Sequence, residues 1–479
     1  MILYDSLFID GSWVKPASDD TVELVSASTE EVVGVVPSAH PRDVDAAVAA
    51  ARAALDDPHG WSSWEPDRRA AALEQLAGEL AARGDDIARR VSIQNGMPIS
   101  FSRNVEAVTP ALVLRYYAML LRENDFETEQ PHMFEGTTVV RREPVRVVAT
   151  IVPWNCPQSI ASFKYAPALA AGCTVVLKPS PQTLLDSYTL AEAVSVTDIP
   201  PGVINVVGGG QAASAHLVEY SGVDAVTFTG STEVGRHIAQ ACGRLIRPVS
   251  LELGGKSAAI ILEDADLASA VIGQRLVEAT MSNNGQICHL STRILAPASR
   301  YAEVVDVLAG LVSSLQVGDA LDPSTVVGPM VSRAHRDRVR SYVAKGRDEG
   351  ARCVTGGGDP GFDRGWFIEP TVFADVDNSS TIAQEEIFGP VLSIIRYTDT
   401  DDAVRIANDS TYGLGGSVWT SDPDRGKAVA RRIRTGTIGV NRYLPDLGAP
   451  FGGVRSSGVG RELGPDAMDS YTHVKSIYA

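Results

Sequence analysis

Between Val145 and Gly255, short apolar runs alternate with longer segments whose apolar residues recur every three or four positions. VRVVATIVP (145–153) reads as a buried strand and SIASFKYAPALAAG (159–172) as a helix ending at Gly172. CTVVLKPS (173–180) is again strand-like and TLLDSYTLAEAVSV (183–196) helix-like; GVINVVGG, AVTFTGS and RLIRPVSLELGG continue the series. Strands that alternate with helices of this length predict an α/β fold built on a parallel, doubly wound sheet. A second series follows Gly255. SAAIILED reads as a strand, residues 266–286 as one long helix, STRILAPA as a strand, and YAEVVDVLAGLVSSL as a helix, with TVFADV and VLSIIRY as later strands. This predicts a second α/β domain.

The remaining patterns lie outside these two series. LFIDGSWV suggests a hairpin with Asp10-Gly11 as its turn. Ala-rich stretches with helical spacing run from Arg42 to Arg52 and, directly after Pro66, from Asp67 to Arg83. TTVVRREP mixes β-branched and charged residues as strands do, and the terminal SYTHVKSIYA alternates like an edge strand. Such a strand pairs with a distant hairpin, with another subunit, or within its own domain.

Composition narrows the class. With 479 residues, 44% hydrophobic and 21% charged, the chain is long enough for about three structural units and is not broadly disordered. A net charge of −17 disfavours general binding to nucleic acid or to anionic membrane. No apolar run has the length of a membrane span, and Met1–Gly11 carries two Asp and no basic residue, unlike a secretory or mitochondrial leader. Five scattered cysteines without CxxC spacing argue against a disulfide framework and give no metal-ligand pattern; they suit reduced thiols in a cytoplasm.

Four local features could carry chemistry. Cys288 follows Gly285-Gln286, where a sharp turn could present a nucleophilic thiol; a structural buried cysteine is the alternative. Glu252 lies between apolar residues before Gly254-Gly255. A carboxylate buried there would have a raised pKa and suit a general base, whereas a solvent-facing strand position would not. Asn155 in PWNCP could donate its amide to an oxyanion or only brace a turn. FTGSTEVG, with Gly230 and Gly235 around a helix start, and the GGGQAA loop at 208–213 are weak phosphate-site signals.

The order of these motifs adds what none carries alone. PWN (153–155), KPS (178–180), FTGSTEVG, LELGGKS, GQIC (285–288), EEIFGPV (385–391) and PFGGVRSSGVGRE (450–462) fall collinearly, and the chain resembles the aldehyde dehydrogenase superfamily over nearly its whole length. The resemblance implies a Rossmann-like cofactor domain at 1–122 and 143–254, a catalytic domain at 255–447, and a β oligomerisation arm at 123–142 and 466–479. Residues 448–465 would return to the active site, and members are usually homodimers or homotetramers. It further implies that Cys288 is the nucleophile toward an aldehyde, that Asn155 holds the oxyanion, and that Glu252 activates water, with Lys164 and Glu462 as a proton relay. For the cofactor it implies contacts from Trp154, Lys178, Ser180, Gly230, Ser231, Glu386 and Phe388.

Where NAD-preferring members commonly carry Glu, three residues after the lysine, this chain has Pro181, so NAD is favoured and NADP remains possible. The implied substrate tunnel comprises Cys156, Ile160, Phe163, Ile287, His289 and residues 443–447. Its mainly apolar lining favours an uncharged aliphatic, aromatic or terpenoid aldehyde. Arg442 leaves open a semialdehyde whose carboxylate it would meet. A CoA-acylating dehydrogenase is the other rival, against which Glu252 argues because acylating members usually lack that base.

Overall fold

The computed structural model describes residues 1–123 and 125–479; Asn124, within the expected arm segment 123–142, lies outside the described residues. Five strands form the parallel centre of an eight-stranded sheet. The chain starts at Val147–Ile151, moves outward through Thr174–Lys178 and Ile204–Val206, and then crosses to the other side for Ala225–Thr229 and Val249–Glu252. The direction of winding therefore reverses at Val147–Ile151, and a crevice opens at the carboxyl ends of the strands there. Every residue of Val147–Ile151, Thr174–Lys178 and Ala225–Thr229 is buried. Helices cover both faces, which is why these strands read as unbroken apolar runs.

The helix Pro157–Ala170 is buried on every side except at Phe163 and packs against the helix Thr109–Glu123. The Leu7–Ile9 and Ser12–Val14 hairpin extends the sheet beyond Ile204–Val206. Its turn residues Asp10 and Gly11 both have positive φ (54° and 69°), the geometry that a two-residue hairpin loop requires. At the opposite edge, Gly458–Val459 pairs antiparallel with Val249–Glu252, bringing the segment between Phe451 and Glu462 back to the crevice.

A seven-stranded sheet runs from Arg352–Thr355 to Gly439–Val440 with Ala258–Ile261, Arg293–Pro297 and Val391–Tyr397 near its centre. The long helix expected over 266–286 is shorter, Ala270–Met281. Ser282 is already extended (ψ 146°) and Asn283 and Asn284 follow in the left-handed region, so the helix stops at Met281. Outside both sheets, Thr472–Tyr478 pairs antiparallel along its length with Thr137–Pro144, which in turn pairs with Glu127–Pro131, so the terminal strand finds its partner in a distant hairpin of its own chain. A further three-stranded sheet, Ile2–Leu3, Val32–Pro37 and Thr21–Val25, packs Leu24 and Val36 against Leu184, Leu185 and Tyr188.

Arg293 shows how strictly the second sheet is tied to its surroundings. Its fully buried guanidinium donates to the Lys256 carbonyl (2.9 Å), the Ile406 carbonyl (3.1 Å), the Ala407 carbonyl (2.9 Å) and Asn378 Oδ1 (2.9 Å). Arg293→Met would strand these acceptors, and each buried unpaired acceptor costs about 1–3 kcal/mol. The variant is expected to lose about 3 kcal/mol or more, seen as an earlier urea transition. Arg293→Lys, with three donors and no planar fork, should recover only part of that loss.

Candidate active site

Cys288 is delivered by an unusual turn. Asn283, Asn284 and Gly285 all have positive φ (49°, 61° and 76°), so the chain reverses immediately after the helix Ala270–Met281. Asparagine tolerates this region better than other side chains, and at Gly285 a Cβ would lie 2.2 Å from the Gly389 carbonyl oxygen. The turn is held by side chains. Asn284 donates to the carbonyls of Gly96 (2.8 Å) and Pro329 (3.0 Å) and accepts from the Gly328 N–H (2.6 Å). The Asn155 side chain donates to the Gln286 carbonyl (2.9 Å), while its own carbonyl accepts from the Asn283 amide (3.0 Å). The two turns bearing Asn155 and Cys288 are thus directly bonded.

Cys288 is partly exposed, whereas Cys156, Cys173 and Cys242 are buried. Desolvation, and then the nearby carboxylates of Glu386, Glu252 and Glu462, push the Cys288 thiol well up. An acceptor for its proton is therefore part of any nucleophilic role.

Glu252 ends the Val249–Glu252 strand, almost fully buried, and neither carboxylate oxygen has a hydrogen-bond partner among the described residues. Burial, reinforced by Glu462, raises its pKa well above the usual carboxylate range; Lys164 and Arg461 oppose that shift. After Leu253, positions 254 and 255 must both be glycine. A Cβ at Gly254 would meet a Glu386 carboxylate oxygen at 2.4 Å, and one at Gly255 the Cys288 carbonyl at 2.5 Å. Only bare backbone lets the strand end, the cysteine turn and Glu386 meet at one point. Lys164, fully buried, pairs with Glu462 and donates to Thr227 Oγ1 (3.2 Å).

The crevice also gathers the residues expected at a dinucleotide. Lys178 ends its strand buried, with no hydrogen-bond partner among the described residues, and burial pulls its pKa down to about 8. Ser180 donates to Gln182 within the turn that contains half-buried Pro181. Gly230 precedes Ser231, which caps the helix Thr232–Arg244 by accepting from the Val234 N–H (3.3 Å). Glu386 accepts from the Gly255 N–H (3.0 Å), and burial pushes its pKa up to about 7. Phe388 (φ 63°) and Trp154 meet edge to face, with ring centres 5.4 Å apart. His335, which the sequence reading missed, bonds to the Phe388 carbonyl (2.7 Å), and its ring lies 5.3 Å from Trp154. A buried unpartnered cation, a capped helix N-terminus, a carboxylate with a free oxygen and an aromatic edge fit a nicotinamide dinucleotide.

Among the residues expected to line a substrate tunnel, Cys156 and Ile160 are buried, and Phe163, Ile287 and Leu447 pack half-buried against the same core as Cys288. His289 sits 5.2 Å from Tyr443 and 5.8 Å from Phe451, ring centre to ring centre. Burial lowers its pKa to about 4, so it is neutral at physiological pH. Arg442 is exposed at the rim of a cavity of about 720 Å³ also lined by Tyr443, Leu444, Leu447 and Phe451.

The Aldehyde dehydrogenase family pattern matches residues 13–477. A geranial dehydrogenase from Castellaniella defragrans is 55% identical over 475 residues, covering 99% of this chain and 98% of the relative. The crystal structure of Mycobacterium tuberculosis aldehyde dehydrogenase complexed with NAD+ superposes with a TM-score of 0.97 at 46% identity, covering 100% of this chain and 98% of that one. Aldehyde dehydrogenase C from Pseudomonas syringae, solved as a mutant with NAD+ and octanal, gives a TM-score of 0.94 at 40% identity, covering 99% and 96%. Among the described residues no helix is long and apolar enough to cross a membrane. Fold, site chemistry and relatives agree: the chain belongs to the aldehyde dehydrogenase family, as an NAD(P)+-dependent enzyme of the non-acylating type.

Proposed function

We propose that this enzyme oxidises uncharged aliphatic or terpenoid aldehydes to carboxylic acids, with NAD+ preferred. The observation that carries the mechanism is the buried, unpartnered Glu252 carboxylate beside a cysteine whose turn is bonded to Asn155. Cys288 Sγ gives up its proton to solvent and attacks the carbonyl carbon, and the carbonyl electron pair moves onto oxygen. The Asn155 N–H not engaged by Gln286 and the Cys288 backbone N–H receive that oxyanion. Held beside Cys288 by the crevice residues, NAD(P)+ would supply the hydride acceptor for the tetrahedral carbon. Glu252 then takes a proton from water as it attacks the thioester on Cys288, and Lys164 and Glu462 carry protons away from the buried carboxylate.

Lys178 and Ser180 would hold the adenosine ribose, Gly230 and Ser231 the pyrophosphate, and Glu386 the nicotinamide ribose, with Phe388 and Trp154 beside the ring. Cys156, Ile160, Phe163, Ile287 and neutral His289 give an apolar passage, which supports an uncharged substrate. The names geranial and octanal, carried by two of the similar proteins, are consistent with it. The sheet ending in Thr472–Tyr478 leaves Val474, Ile477 and Tyr478 exposed along a free edge, which suits assembly into a homodimer or homotetramer.

A panel of aldehydes, assayed by the absorbance of reduced nicotinamide, tests the substrate class. Branched and linear apolar aldehydes should have higher kcat/KM than semialdehydes carrying a carboxylate. The reverse order would point to Arg442 as a substrate anchor and overturn this reading.

Glu252→Gln should leave a fast burst of reduced cofactor followed by slow turnover, because deacylation needs the base and hydride transfer precedes it. Because burial raises the pKa of Glu252, the carboxyl stays protonated and inert in acid and gains its working form as pH rises. Deacylation by the native enzyme should therefore increase with pH over that range, and the variant should lack this limb.

Pro181→Glu would add a charged acceptor for ribose hydroxyls and set a carboxylate against a 2′-phosphate. The ratio of kcat/KM with NAD+ to that with NADP+ should rise about tenfold or more, which needs only about 1.4 kcal/mol.

A further inference from the structure

The two turns that carry Asn155 and Cys288 are gripped by a third segment, residues 95–106. At one end stands Asn95, fully buried, the last residue of the helix Gly84–Asn95. Its side-chain nitrogen donates both to the Trp154 carbonyl (3.0 Å) and to the Asn155 carbonyl (3.1 Å), and its side-chain oxygen accepts from the Met97 N–H (3.0 Å). Its backbone carbonyl accepts from the Gln286 side chain (3.4 Å), within the turn that precedes Cys288. One residue thus bonds to both halves of the site.

At the other end stands Glu106, fully buried. The helix Pro157–Ala170 begins at Cys156, whose side chain makes no capping bond. Glu106 supplies the missing cap from a different part of the chain: its carboxylate accepts from the Gln158 N–H (2.8 Å). A carboxylate at a helix N-terminus satisfies a free donor and is favoured by the helix dipole. Gln158 also reaches a second buried carboxylate, Asp186, through its side-chain amide (2.8 Å). Burial pushes Glu106 up to about 7, and one of its oxygens has no hydrogen-bond partner among the described residues, so its placement carries an electrostatic penalty. Trp154, Asn155 and Cys156 lie between the two grips and cannot shift unless one of them breaks.

We propose that Asn95 and Glu106 are positioning residues that fix where the Asn155 amide stands relative to Cys288. Neither touches the reacting atoms; both act through the Trp154–Cys156 turn. The inference rests on the oxyanion role given above to Asn155, so Asn155→Ala is measured alongside.

The test separates oxyanion stabilisation from nucleophilicity. Aldehyde oxidation develops a negative oxygen near Asn155, whereas alkylation of Cys288 by iodoacetamide develops none. Asn95→Ala should slow the pre-steady-state burst of reduced cofactor by about tenfold or more, the scale expected when a donor is displaced by a fraction of an ångström to an ångström. NAD+ affinity and the alkylation rate of Cys288 should stay within about twofold of native. Glu106→Gln keeps an acceptor for the Gln158 N–H but not the charge, and should show a smaller loss of the same kind. If Asn95→Ala does not accumulate as folded protein, Asn95→Asp is read in its place, since it keeps the Met97 contact and replaces both donors.

An unchanged burst in the Asn95 variant, with a slowed burst in Asn155→Ala, would overturn the positioning role alone. An unchanged burst in Asn155→Ala itself would overturn the oxyanion assignment beneath it. Equal losses in burst and alkylation would show that the segment supports the nucleophile's turn rather than the amide, which also overturns the proposal.

Discussion

Holding a carboxylate in the protein interior with no hydrogen-bond partner costs several kcal/mol, and much of this site is arranged around that penalty at Glu252. A partner would lower the penalty but also lower the carboxyl's pKa, and with it its strength as a base. The surroundings instead withhold donors and place charge nearby. Lys164 opposes the shift through space while bonding to Glu462 rather than to Glu252. The backbone presses close where a side chain cannot: a Cβ at Gly452 would lie 2.4 Å from a Glu252 oxygen. Glu252 is therefore enclosed by glycine on one side and ends a strand on the other.

The same economy of space governs the cysteine. Three successive left-handed residues are an expensive way to turn a chain, and here side-chain amides rather than secondary structure hold the turn. The placement of Cys288 relative to Asn155 thus depends on a buried network of asparagine and glutamine bonds that run from side chain to backbone. Such a network is rigid when complete and has little tolerance for losing one member.

Much of this was legible from the chain alone, and the reasons differ by residue. The central strands were legible because both faces are buried, which leaves an apolar run that no exposed segment imitates. Glu252 stood out as a charge inside such a run, and the glycines after it marked a close approach. The N-terminal sheet was not legible: Ile2–Leu3 is two residues long, and Thr21–Val25 alternates too briefly to be told from a loop. The helix 266–286 was overdrawn because nothing in apolar periodicity reveals that Asn283 and Asn284 leave the helical region. Asn95 and Glu106 were missed for a related cause. Their importance lies in carbonyls and N–H groups contributed by residues more than fifty positions away, and backbone groups leave no mark on the sequence at the site they serve. The Asn-Gly pairs at 95–96 and 284–285 were the available hint, since both sit where the chain turns sharply.

The edge strand Gly458–Val459 completes the first sheet beside Glu252, and Glu462 reaches Lys164 only because that strand has docked. Nearly three hundred residues separate the two partners of this buried pair, so during synthesis on the ribosome the cofactor sheet can form long before its final strand exists. Until then Lys164 has lost its water without gaining its counter-charge, an unfavourable state for a buried ammonium. Before that strand docks, the crevice around Lys164 must therefore stay loosely packed or hydrated, and the interior around Glu252 closes only when the returning segment arrives.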